Sequence, residues 1–271
     1  MIFLKLVFDF YINCSIHVAL AVFFLVRITE SHYKLPYNKS LDLFIFFATI
    51  TAYNFIKYMG VVKFHGSTLA KSMRLIRICS FICFCLSVYY GYRLPTETYF
   101  YLLPFAILTI LYIIPFWDGF QKSLRKVSYL KIFLVAIVWS GVTGVLPLLV
   151  SGHSINFNLI IFFFQRFFFV LVLILPFEIR DMELDLMHIK TFPQKMGIKK
   201  TKKMGFIWLL FSLALDFFLT ELFVNKSIFF WVCLVTLFFL MRAKEKQSGY
   251  YSSFCVESIP ILWWILLLVS V

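Results

Sequence analysis

The sequence predicts an all-α bundle of membrane-spanning helices, and three observations carry that prediction. Apolar runs near the length that crosses a bilayer, roughly 17 to 25 residues, recur along the whole chain. Hydrophobic residues make up 62% of the chain and charged residues only 14%, which excludes one or two soluble domains. Basic residues, finally, gather in alternate connections between the runs.

About nine spans fit this pattern, near residues 9–28, 41–57, 73–92, 99–116, 129–150, 157–176, 205–223, 227–241 and 255–271, in a single domain covering 1–271. Met1 to Phe10 lacks the basic start and cleavage site of a signal peptide, so the first span is expected to stay. The even connections are basic. Lys57, Lys63, Lys71, Arg74 and Arg77 lie in or beside the second, and Lys122, Arg125, Lys126 and Lys131 in or beside the fourth. The sixth runs from Arg180 to Lys203, and the eighth holds Arg242, Lys244 and Lys246. The asymmetry predicts a cytoplasmic N-terminus. It also accounts for the net charge of +13 without nucleic acid, as a topology signal with some attraction for anionic lipid or substrate.

Taken in order, the first span carries His17, read as an interhelical hydrogen-bonding residue. The second ends in Tyr53, Asn54 and Lys57, with Asn54 and Lys57 three apart and able to point the same way. Asn can coordinate a cation and Lys can contact a phosphate; snorkelling of Lys57 to the surface is the alternative. The third and fourth are apolar and aromatic, with kinks expected at Pro104 and Pro115. Gly141, Gly144 and Pro147 in the fifth permit close helix approach or a bend. The sixth buries Gln165 and Arg166 in the apolar run, at a cost on the order of 3 kcal/mol for an unpaired arginine. Snorkelling, or an ion pair with Asp216 of the seventh span, is expected to relieve it. The six cysteines lie in or beside apolar runs and read as small hydrophobes.

The chemistry is concentrated just after the sixth span, in Pro176 to Gly197, PFEIRDMELDLMHIKTFPQKMG. Glu178, Asp181 and Asp185 are spaced by three and four residues, so a continuing helix puts all three on one face. Clustered carboxylates repel unless a cation lies between them, and Mg²⁺ suits carboxylate oxygens together with the phosphate oxygens of a substrate. The same spacing also fits a solvated acidic helix end with Asp181 and Asp185 paired to Arg180 and Lys190. Lys190 stands where it would meet an anion held by the metal, while Pro193 and Gly197 end the segment in a lysine-rich loop.

Glu178, Arg180, Asp181, Glu183, Asp185, Lys190, Thr191, Pro193 and Gly197 resemble, in order, the second aspartate-rich motif of the UbiA superfamily of intramembrane prenyltransferases. The first motif of that family, at the end of the second helix, is degenerate here: Asn54 is present, but Phe55-Ile56-Lys57-Tyr58 replaces its aspartates. The resemblance implies binding and ionisation of an isoprenyl diphosphate with Mg²⁺ on Glu178, Asp181 and Asp185, and with Asp181 and Asp185 essential to catalysis. Asn54, Lys57, Arg180 and Lys190 are the implied diphosphate contacts, Lys57 and Lys63 replacing a lost metal. It implies transfer of the prenyl group to a lipophilic acceptor, or cyclisation, and the charge asymmetry puts the site on the cytoplasmic side of the membrane, the plasma or inner membrane if the protein is bacterial. The alternative it leaves open is a catalytically degenerate relative that binds a prenyl lipid or supports a partner enzyme.

Overall fold

The structure, a computed structural model, describes residues 2–58, 69–113, 130–182, 192–219 and 223–270. In chain order the helices are α1 (Ile2–Asn13), α2 (Ile16–His32), α3 (Lys39–Tyr58), α4 (Leu69–Tyr92), α5 (Thr96–Ile113) and α6 (Leu130–Ser140). A π-helical turn (Gly141–Val145) leads into α7 (Leu146–Val150), followed by α8 (Phe157–Arg180), α9 (Phe192–Met196) and α10 (Ile198–Phe218). The chain ends with α11 (Phe223–Arg242), a second π-helical turn (Tyr251–Val256) and α12 (Ile259–Val269). No strand occurs among the described residues.

Among the described residues, five segments are long and apolar enough to cross a membrane: Met73–Tyr92, Leu130–Val150, Phe157–Arg180, Val224–Arg242 and Tyr251–Val269. A sixth is the pair α1 and α2, which is bent by 58°. The first span is therefore not one continuous helix. Ser15 sits in the left-handed region at φ 59°, a conformation that L-residues rarely hold within a helix. His17 fixes the bend: Tyr11 Oη donates to its Nδ1 at 2.7 Å, and its Nε2 lies 3.0 Å from Phe254 O and Ser258 Oγ. The histidine thus serves the interhelical role expected of it.

Helix α8 forms the axis of the bundle. Its run of Phe, Val, Leu and Ile has no polar face wide enough for water, and Phe169 to Val172 are fully buried against α6, α10, α11 and α12. Asn156 caps its start, accepting from Leu159 N at 2.9 Å. Its end lies four residues beyond the expected boundary, at Arg180, so Glu178 and Arg180 belong to its last turn and Asp181 is the residue that closes it. Asp185 and Lys190, the further residues of the predicted acidic stretch, lie outside the described residues.

Arg166 neither snorkels nor stands at a lipid face. It is completely buried, with Nη1 donating to Leu25 O at 3.1 Å and Nη2 to Thr29 Oγ1 at 3.3 Å, between the rings of Phe162 and Trp263. Asp216 receives its hydrogen bond from the neighbouring Gln165, at 3.2 Å. An inward guanidinium is tolerable because backbone carbonyl, hydroxyl and ring faces replace part of its hydration. Close approach at the first π-turn follows the glycines: a Cβ on Gly144 would stand 3.2 Å from the Phe162 ring, and one on Gly141 only 1.9 Å from Phe105.

Candidate functional site

The last turn of α8, the first turn of α6 and the end of α3 meet at one end of the bundle. Lys131, on α6, places its Nζ 2.7 Å from Glu178 Oε1. Glu178 is buried, whereas the Lys131 side chain is about a fifth exposed. A charge in that position is held by its partner, since an unpaired buried carboxylate is strongly disfavoured. Two residues further on, Arg180 Nε donates to Asp181 Oδ1 at 2.8 Å and its Nη1 to Ser253 Oγ at 3.0 Å. Arg180 therefore ties the end of α8 to the second π-turn. Gln247 strengthens that tie, donating to Pro176 O at 2.9 Å and to Ser252 Oγ at 2.8 Å.

Lys57 brings α3 to the same end. Its Nζ donates to Asn13 O at 3.3 Å, at the break between α1 and α2. It lies within electrostatic range of both Arg180 and Glu257, and Glu257 in turn of Arg180. Three cations (Lys57, Lys131, Arg180) and three carboxylates (Glu178, Asp181, Glu257) thus share one pole. Asn54 has another place. Its Nδ2 donates to Cys14 O at 3.1 Å and Ser80 Oγ at 2.8 Å, and the side chain is buried between α2 and α4. Through its nitrogen that amide clamps the helix break, while its Oδ1 has no hydrogen-bond partner among the described residues. The cause is the bend itself: a helix interrupted at Ser15 exposes carbonyls that need donors.

Beside this pole lies a cavity of about 380 Å³ between α2, α3, α5 and α6, lined by uncharged residues. Tyr53, Ile56, Tyr112 and Leu134 line its polar end, while Phe44, Leu102, Phe105 and Val142 line the other. Tyr53 interacts electrostatically with Glu257, and Tyr112 with Lys131, which fixes the orientation of the cavity relative to the charges. The few polar groups along it are internally satisfied: Trp139 Nε1 donates to Tyr53 Oη at 2.9 Å, and Thr49 and Thr109 donate to Ile45 O and Phe105 O, both at 2.7 Å. The walls are therefore apolar in effect. A molecule with a charged head and a hydrocarbon tail matches this arrangement.

Sequence reasoning did not single out Glu257 and counted Lys131 only as a basic residue near a span end. No local spacing marks either one, because each reaches the site through tertiary packing. For a metal, the oxygen donors Glu178 and Asp181 are of the type a hard divalent cation takes. Each engages one oxygen with a basic side chain, and no group of three metal-ligating residues occurs among the described residues. The donor chemistry of these two carboxylates fits Mg²⁺, and Asp185, the third expected ligand, lies outside the described residues. The six cysteines are free.

No family model matches the chain, and no curated protein matches it. Solved structures do. A UbiA homologue from Archaeoglobus fulgidus bound to GPP and Mg²⁺ superposes with a TM-score of 0.62 at 16% identity, covering 99% of each chain. The same organism's UbiA homologue bound to DMAPP and Mg²⁺ gives 0.62 at 15% identity, covering 98% of this chain and 97% of that one. A digeranylgeranylglyceryl phosphate synthase gives 0.58 at 12% identity over 100% of both chains. End to end, this chain is built on the UbiA fold.

Proposed function

We propose that the chain is a UbiA-superfamily integral membrane prenyltransferase that binds an isoprenyl diphosphate with Mg²⁺ and transfers the prenyl group to a lipophilic acceptor. The observation that carries this reading is the gathering of Lys57, Lys131, Arg180 and Asp181 at one end of the bundle beside an apolar cavity. It is supported by the ligands of the similar structures, which hold GPP or DMAPP with Mg²⁺. In this reading α3, α5 and α10 join the more apolar helices in a nine-span bundle, with the site on the cytoplasmic side.

Lys57, Arg180 and Lys190 hold the diphosphate, each placing positive charge where negative charge grows as the leaving group departs. Asp181 and Asp185, with Glu178 beside them, would hold Mg²⁺, which would supply further positive charge to the leaving diphosphate. The carbon–oxygen bond breaks with its electron pair going to the diphosphate, and the allylic cation left behind is sheltered by the cavity's ring faces. Attack by the acceptor forms the new bond, and the acceptor then gives up a proton. Loss of the first aspartate-rich motif is offset by basic side chains, Lys57 at the end of α3 and Lys131 at the start of α6.

The test is binding of a non-hydrolysable farnesyl diphosphate analogue to the purified protein, with and without Mg²⁺. Mg²⁺-dependent binding that disappears in Asp181→Ala/Asp185→Ala is expected. Equal binding by that double variant, or no binding by well-folded wild type, removes the reading.

A further inference from the structure

We infer that the cavity is a length gauge that accepts a prenyl chain of up to about three isoprene units and rejects a fourth. The inference rests on the proposed diphosphate site and adds the substrate's length. Along α3 the lining runs from Ile56 to Phe44, a rise of about 18 Å at 1.5 Å per residue. Along α5 it runs from Tyr112 to Leu102, about 15 Å. An extended isoprene unit places four carbon–carbon bonds of about 1.5 Å in line and advances about 5 Å. Three units therefore span the cavity from the charged pole to its far end.

That far end is closed. Leu41, Leu94 and Leu146 are buried in one cluster with Val22 and Ile45, and Phe44, Leu102 and Val142 pack against it. Phe44 and Phe105 are each seated against a glycine. A Cβ on Gly91 would stand 3.3 Å from the Phe44 ring, and one on Gly141 would overlap Phe105. Each ring is thus seated against backbone on one side. Beyond the cluster, Arg27 pairs with Glu30 and lies 3.6 Å from the fully buried Asp42. A hydrocarbon tail gains nothing by pushing into a buried ionic group, so the closure is chemical as well as steric.

The experiment is competition binding with non-hydrolysable C5, C10, C15 and C20 prenyl diphosphates, and inorganic diphosphate, in Mg²⁺ and one fixed detergent. An open groove would let affinity rise with every unit, because each adds buried hydrocarbon. A closed one reverses the trend, and affinity is expected to rise to C15 and then fall about tenfold at C20 through overpacking. Phe44→Ala is expected to restore C20 binding while leaving C5 and inorganic diphosphate unchanged, and Phe44→Leu serves if the alanine variant does not fold. C20 binding as tight as C15 to wild type overturns the gauge, and does so alone if inorganic diphosphate still competes. Failure of every chain to bind, C5 included, overturns the gauge together with the diphosphate site on which it rests.

Discussion

The ammonium of Lys131 stands 2.7 Å from the carboxylate of Glu178, across residues 47 positions apart in the chain. This pair joins the first turn of α6 to the last turn of α8 and adds a cation to that end of the bundle. Removing the lysine leaves a buried carboxylate without its counter-charge. Lys131→Met is expected to destabilise the protein by about 3 kcal/mol. Lys131→Met/Glu178→Gln should lose clearly less than the sum of the single variants. Thermal unfolding in detergent measures both, and additive losses would show that the two charges do not depend on each other.

Asp181 bears the metal-dependent part of the proposal. Asp181→Asn keeps the size of the side chain and still accepts a hydrogen bond from Arg180, so folding should be nearly unchanged. Binding of a prenyl diphosphate analogue in Mg²⁺ should weaken at least about tenfold, in line with the strength of charge-assisted contacts. A chelator added to wild type should produce a similar loss. Calorimetry on both samples is the check, and chelator-insensitive binding would exclude a metal from the site.

Arg166 is expected to be structural. Its guanidinium binds Leu25 O and Thr29 Oγ1 and touches two aromatic faces, so Arg166→Leu should cost about 3 kcal/mol. Arg166→Lys should recover little, since a lysine cannot reproduce the planar fork. Retained thermal stability in either variant would contradict this account.

Gly141 tests the packing behind the cavity. Its absent Cβ leaves room for Phe105, so Gly141→Ala should destabilise by about 1 to 3 kcal/mol through overpacking. Phe105→Leu in the same background should restore part of the loss. Unfolding curves of the single and double variants decide the point.

Composition and period were enough to show that this chain is an all-helical membrane protein, because hydrocarbon forces backbone groups to pair within each helix. The acids at Glu178, Asp181 and Asp185 stood out through local spacing alone, and so did the motif they resemble. His17 was also legible, since an imidazole within an apolar run needs a partner. Other features lay beyond local reading. The break at Ser15 and the use of Asn54 to clamp it depend on a contact with α4. For Arg166 the sequence left snorkelling or an ion pair with Asp216, because its partners Leu25 and Thr29 are 141 and 137 residues away.

The sequence by itself determined the helical fold, the run of apolar segments and the acidic end of α8, all of which arise from neighbours in the chain. Only the tertiary structure decided that Lys131 and Glu257 join that end, and that an apolar cavity lined by Phe44 and Phe105 lies beside it. The physical reason is range. Helix periodicity and burial preference act over a few residues, whereas a charge finds its counter-charge, and a cavity its floor, among helices that pack together from distant parts of the chain.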